Sequence, residues 1–109
     1  MSIIHKDLQN RWDDFSRKQQ LGNIGSEIAR VYYWDKKGDK KAKNNSIERA
    51  LELIDFTYAD PKWKDSEGLR ELAYVRELLA DLYIDGGFYE INLKSLEKYF
   101  LDFVLAKKV

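Results

Sequence analysis

Three sets of charged side chains carry whatever chemistry this sequence can do. The first is acidic. Glu52 and Asp55 are three residues apart, and Glu77 and Asp81 are four apart. Those spacings put each pair on one face of a helix, and carboxylates facing each other from two helices can bind Mg²⁺ or Mn²⁺, which prefer oxygen ligands. The second set is Glu27, Arg30, Arg49 and Arg76, which lie in or beside apolar helical stripes. A guanidinium buried in such a stripe needs a carboxylate partner. Glu27, Glu52 and Asp55 are candidates for Arg76, so the same acids also read as interhelical ion pairs that fix register. The third set is basic: Lys36, Lys37, Lys40, Lys41 and Lys43. Residues 36–45, interrupted by Gly and Asn, read as a flexible, solvated, Lys-rich loop. The alternative is a phosphate-contacting loop for RNA, DNA or a nucleotide, because lysines supply phosphate affinity without regard to sequence.

What is missing narrows the chemistry further. The chain has no cysteine and one histidine, His5, near its start. Thiol catalysis, disulfides and thiolate zinc sites are therefore excluded. His5 reads as a solvated tail residue, which disfavours serine triads and sites needing several imidazoles. A di-iron carboxylate site wants Glu-x-x-His, and small helical HEPN ribonucleases pair an arginine with a following histidine; neither pattern is present. Glu52-x-x-Asp55 and Glu77-x-x-x-Asp81 loosely resemble the carboxylate pairs of the all-α NTP pyrophosphatases of the MazG type, which would imply Mg²⁺ or Mn²⁺ as cofactor. The family pattern is Glu-x-x-Glu, a spacer, then Glu-x-x-Asp. Here the first pair ends in Asp and the second is one residue too long.

The elements that position these residues are helical almost throughout. Asp7 can cap a short extra helix, Leu8 to Phe15. Ser16 and Gln19 then form a capping box ahead of a long helix to about Asp35, with Leu21, Ile24, Ile28, Val31 and Tyr32 as its apolar stripe. Gly22 and Gly25 interrupt that helix at about 1 kcal/mol each, which implies close helix–helix approach or room for a ligand. Gly38 is a stop signal. The second helix is expected to start at Asn45 or Ser46, with Glu48 completing a cap, and to end at Asp60-Pro61. Trp63 follows as a plug for the end of the bundle. A third helix runs from about Ser66 to Asp85, stopped by Gly86-Gly87. Phe88 to Ile91 reads as loop, and Asn92 caps a last helix reaching about Lys107. Tyr99 to Ala106 is apolar on almost every side, as in a helix buried by more than one neighbour.

Together these features predict an all-α protein: one antiparallel four-helix bundle over residues 1–109, with a short extra N-terminal helix. No run of apolar residues approaches the ~20 needed to span a bilayer, and the first ten residues hold no apolar stretch that would serve as a signal. A cytoplasmic protein is the expectation. Net charge is zero, with 19 basic and 19 acidic side chains. That zero is the sum of opposite stretches: residues 36–45 carry five Lys and one Asp, and residues 46–90 carry five basic and eleven acidic side chains. Aromatic residues make up 14% of the chain, more than so short a chain is expected to hide alone.

Residues 20–30 (Gln-Leu-Gly-Asn-Ile-Gly-Ser-Glu-Ile-Ala-Arg), 46–55 (Ser-Ile-Glu-Arg-Ala-Leu-Glu-Leu-Ile-Asp), Leu69-Arg70-Glu71-Leu72 and Lys98-Tyr99-Phe100 together resemble a family of small, uncharacterised, all-helical prokaryotic proteins. The resemblance spans residues 12 to 107. It implies a whole small protein and assigns no substrate and no residue role. The surplus of aromatic residues and the all-round apolar last helix favour a non-enzymatic protein that acts by protein–protein interaction, as a homodimer or with another protein. The metal-dependent hydrolase and the nucleic-acid-associated protein remain the alternatives.

Overall fold

Residues 9–84 and 93–105 are described by the computed structural model, and they form four α-helices and two 3-10 turns with no strand among them. His5, the Asp7 cap, the Gly86-Gly87 stop, the Phe88–Ile91 loop, the Asn92 cap and the end of the last helix at Lys107 lie outside the described residues.

Helix α1 (Arg17–Lys37) starts where the sequence says it should. Ser16 is extended, its Oγ accepts the Gln19 amide at 3.1 Å, and Gln19 Oε1 accepts the Ser16 amide at 2.8 Å. Gly38 ends the helix in the left-handed region, at φ 76°, which a residue without Cβ adopts at little cost. The amides of Gly38 and Asp39 turn back to the carbonyls of Asp35 and Trp34, both at 3.1 Å, and so satisfy carbonyls the helix leaves open. Asp39 is at once the N-cap of α2 (Lys40–Ala59): its Oδ1 accepts the Ala42 amide at 2.9 Å.

The expected Lys-rich loop is therefore corrected. Lys36 and Lys37 form the last turn of α1, and Lys40, Lys41 and Lys43 lie in the first turns of α2. The connection is Gly38-Asp39 alone. Lysine and alanine are good helix formers, and the Asp39 cap starts the helix at Lys40, five or six residues ahead of the expected start at Asn45 or Ser46. The short helix expected over Leu8–Phe15 is met in part: Gln9 is helical, but the helix does not run on to Phe15, and Trp12–Asp14 is a 3-10 turn followed by an extended Phe15.

Asp60-Pro61 ends α2, and Pro61–Trp63 forms a second 3-10 turn. Helix α3 (Gly68–Ile84) begins at a glycine for a steric reason: a Cβ on Gly68 would lie 2.7 Å from Trp63 Cζ3. Helix α4 spans Leu93–Leu105. The hairpin of α1 and α2 is the centre of the molecule; α3 packs chiefly on α2 and α4 chiefly on α1. Leu21, Ile24, Ile28 and Val31 of α1 meet Ile47, Ala50 and Ile54 of α2 in one core, extended by Leu72, Val75 and Leu79 of α3 and by Leu96, Phe100 and Phe103 of α4. No described helix is long and apolar enough to cross a membrane.

Candidate functional site

The acidic residues are spread along the helices and engaged one by one. Asp55 receives both arms of Arg76, Nε to Oδ1 at 2.8 Å and Nη2 to Oδ2 at 3.3 Å, on a solvent-facing seam between α2 and α3. Of the three partners expected for Arg76, Asp55 is the one in place. Arg76 is half-exposed, so solvent screens this pair and limits its contribution to stability. Glu27 is buried on α1 and accepts from Arg30 one turn on, through Oε1; its Oε2 is buried without a hydrogen-bond partner among the described residues. Glu48 accepts from Tyr83 at 3.0 Å, and Glu71 accepts from the Tyr99 hydroxyl, which ties α4 to α3. Burial, the hydrogen bond to Glu71 and that carboxylate's charge push the Tyr99 phenol up to about 12. Glu52 and Asp81 are buried, Glu77 is exposed, and each of the three has an interaction partner. Arg49 is exposed on α2. Among the described residues, no three acidic or imidazole side chains are grouped so as to hold a metal ion.

One end of the bundle is closed by a buried polar network. Gln20 on α1 is fully buried. Its Nε2 donates to the Trp12 carbonyl and to Asp60 Oδ2, each at 2.7 Å, and its Oε1 accepts the Trp63 indole N–H at 2.6 Å. The Trp12 indole donates to Thr57 Oγ1 at 3.1 Å. Lys62 Nζ donates to Asp60 Oδ2 at 2.8 Å and to the carbonyls of Phe15 and Asp13. Arg17 lies over the Trp63 ring at 5.2 Å and donates to the Lys62 carbonyl. Burial pushes Asp60 up. Hydrogen bonds from the Lys62 side chain, Gln20 and the Lys62 amide, together with the Lys62 charge, outweigh burial and hold it below the usual carboxylate range. Trp63 is the plug expected from the sequence. Gln20 and Asp60 are additions, and their polar atoms are committed to one another, so this end of the bundle is architecture rather than a reactive centre.

The surface left open lies between α1 and α4. A groove of about 450 Å³ is lined by Leu21, Gly22, Gly25, Ser26, Ile28 and Ala29 on one wall and by Phe100, Leu101 and Val104 on the other, with Lys18 and Glu97 at its edge. That volume falls within the range of ~300–1,000 Å³ typical of ligand-receiving clefts. The two interrupting glycines have different jobs. A Cβ on Gly25 would stand 3.1 Å from Phe100 Cε1, so this glycine lets α4 approach α1. A Cβ on Gly22 would meet nothing within 4 Å; Gly22 is groove floor. On α4, Leu93, Leu96, Phe100 and Phe103 are buried, while Leu101 is 54% exposed and Leu105 67% exposed. The expectation that α4 is covered on every side is thus unmet within one copy of the chain. The signal for this groove was in the sequence: small residues at 22, 26 and 29 on one helix, and leucines at 101 and 105 on another.

No protein family, curated protein or solved structure matches this chain. Its function has to be argued from the site.

Proposed function

We propose that this chain is a non-enzymatic, cytoplasmic interaction module that works as a homodimer through the α1/α4 groove. The observation that carries the reading is the exposure of Leu101 and Leu105, one helical turn apart, beside an open groove floored by Gly22. At about 25 cal/mol per Å² of apolar surface, two uncovered leucines favour burial. A second copy fits for three reasons. In a two-fold contact each copy offers the same patch, so the Leu101–Leu105 ridge of one seats between the small residues of the other. The groove edge carries both signs of charge, Lys18 on α1 and Glu97 on α4, so edge charges pair across the axis instead of repelling. The zero net charge of the chain adds no long-range penalty to self-association.

The engagement of Asp55 by Arg76 and Glu27 by Arg30 supports an architectural use of these acids over the hydrolase alternative. Light scattering coupled to size exclusion tests the proposal: a mass twice the 12.9 kDa of the chain at micromolar concentration, returning to 12.9 kDa in Leu101→Asp with an unchanged helical circular dichroism spectrum. A wild-type chain that stays monomeric, or a Leu101→Asp chain that stays dimeric, refutes it.

A further inference from the structure

The α1–α2 corner is a separate surface that the groove does not use. Five lysines stand on two helix ends joined by two residues, so their ammonium groups are carried on a rigid scaffold. The acids of the corner are already engaged. Asp35 accepts from Lys43 at 3.2 Å, and Asp39 caps α2. Among the described residues, Lys36, Lys37 and Lys41 form no ion pair. Instead Lys36 lies over the Tyr32 ring at 5.3 Å and Lys37 over the Tyr33 ring at 5.5 Å. Tyr33 is 52% exposed and packs edge-on against Trp34 at 4.9 Å. Beside them is an open cleft of about 170 Å³ lined by Trp34, Gly38, Lys40 and Lys43 together with the two engaged acids, Asp35 and Asp39. Lys40 and Lys41 stand in the first turn of α2, whose N-terminus is capped by the Asp39 carboxylate.

We propose that this corner binds single-stranded nucleic acid, with Lys36, Lys37, Lys40 and Lys41 on backbone phosphates and Tyr33 as the platform for one base. The lysines alone would suit any polyanion; the exposed aromatic ring set among them is what selects this ligand, because bases stack on such rings irrespective of sequence. Lys37 covers the Tyr33 ring in the free chain. On binding, a base takes that face and the Lys37 ammonium moves to the adjoining phosphate, so one cation serves both states.

The experiment is fluorescence anisotropy of the full chain with a labelled oligouridylate of about 12 nucleotides, a length within the site sizes of single-strand binders. With four lysines on phosphates, log affinity falls with log salt concentration at a slope of about −3. Lys36→Glu/Lys37→Glu is expected to lose at least tenfold in affinity and to flatten the slope by about half. Lys64→Glu/Arg70→Glu changes charge equally at exposed positions away from the corner and is expected to stay within twofold. Tyr33→Ala, with lysines intact, is expected to lose between about five- and a hundredfold. Leu101→Asp is expected to bind as wild type, which separates this reading from the dimer. No binding at about 20 mM salt, equal losses in the two charge-reversed pairs, or full affinity in Tyr33→Ala would each overturn the proposal.

Discussion

Replacing Gln20 by leucine removes three hydrogen bonds from a site with no access to water. The Trp63 indole N–H loses its partner, while the Trp12 carbonyl keeps the Phe15 amide and Asp60 Oδ2 keeps the Lys62 ammonium. A buried donor left unmatched costs about 1–3 kcal/mol, so Gln20→Leu is expected to destabilise by roughly 1–3 kcal/mol, a sizeable share of a total near 5–15 kcal/mol. Trp63→Phe strips the same indole N–H from the other side and strands Gln20 Oε1. The double variant leaves neither of the two facing atoms polar, so the two losses overlap. A double-mutant cycle is expected to show a coupling of about 1–2 kcal/mol. The assay is urea unfolding followed by far-ultraviolet circular dichroism, which is insensitive to the lost tryptophan fluorescence. It is run at one protein concentration, because any self-association would alter apparent stability. Additivity within about 0.5 kcal/mol would mean that the two side chains do not act on each other, and the account of this end of the bundle would be wrong.

Gly22→Ala is expected to stabilise the monomer by close to 1 kcal/mol through helix propensity, while Gly25→Ala gains nothing or loses, because its Cβ must displace the Phe100 ring; thermal melts of the two variants at low protein concentration make the comparison. The Asp60 carboxyl is held down in the folded chain, so its contribution is present above the unfolded value of about 4 and is lost as pH falls through the lower folded value; Asp60→Asn should remove that part of the acid limb of a stability–pH curve. Tyr99 runs the other way. Its phenol is raised to about 12, so its contribution is intact below about 10 and lost as pH rises between the two values. Phenolate absorbance of wild type and Tyr99→Phe should differ by one late-titrating group.

Local rules and periodicity made much of the fold legible in the sequence. The Ser16–Gln19 capping box, the stop at Gly38 and the break at Asp60-Pro61 depend on residues a few positions apart, and each is where those residues place it. The lysine segment differs from its sequence pattern for a physical reason. Charge density and a glycine suggest a loop, yet Gly38 and Asp39 between them end one helix and start the next, which leaves the lysines helical. The buried role of Gln20 carries no local signal, because a glutamine beside a capping box has the pattern of a solvent-facing residue. Its partners, Trp12, Asp60 and Trp63, lie 8, 40 and 43 residues away along the chain. Helix rotation decided the interhelical pair, Asp55 with Arg76 across the α2–α3 seam, whereas Glu27 with Arg30 is a pair three residues apart on one helix, as helical spacing allows. The uncovered side of α4 was foreseen as an excess of apolar residues, but only packing shows that Leu101 and Leu105 are the ones left out.

The proposed dimer is tested most directly by paramagnetic broadening between copies. Because the chain has no cysteine, Asp102→Cys, on the exposed side of α4, takes a single nitroxide. The labelled chain is mixed with an isotope-labelled wild-type chain and the amide spectrum of the latter is recorded. The account predicts broadening confined to the α1 wall from Lys18 to Ala29 and to α4 around Leu101. Undisturbed signals there, or broadening centred on another face such as that of Tyr58 and Tyr74, would contradict it.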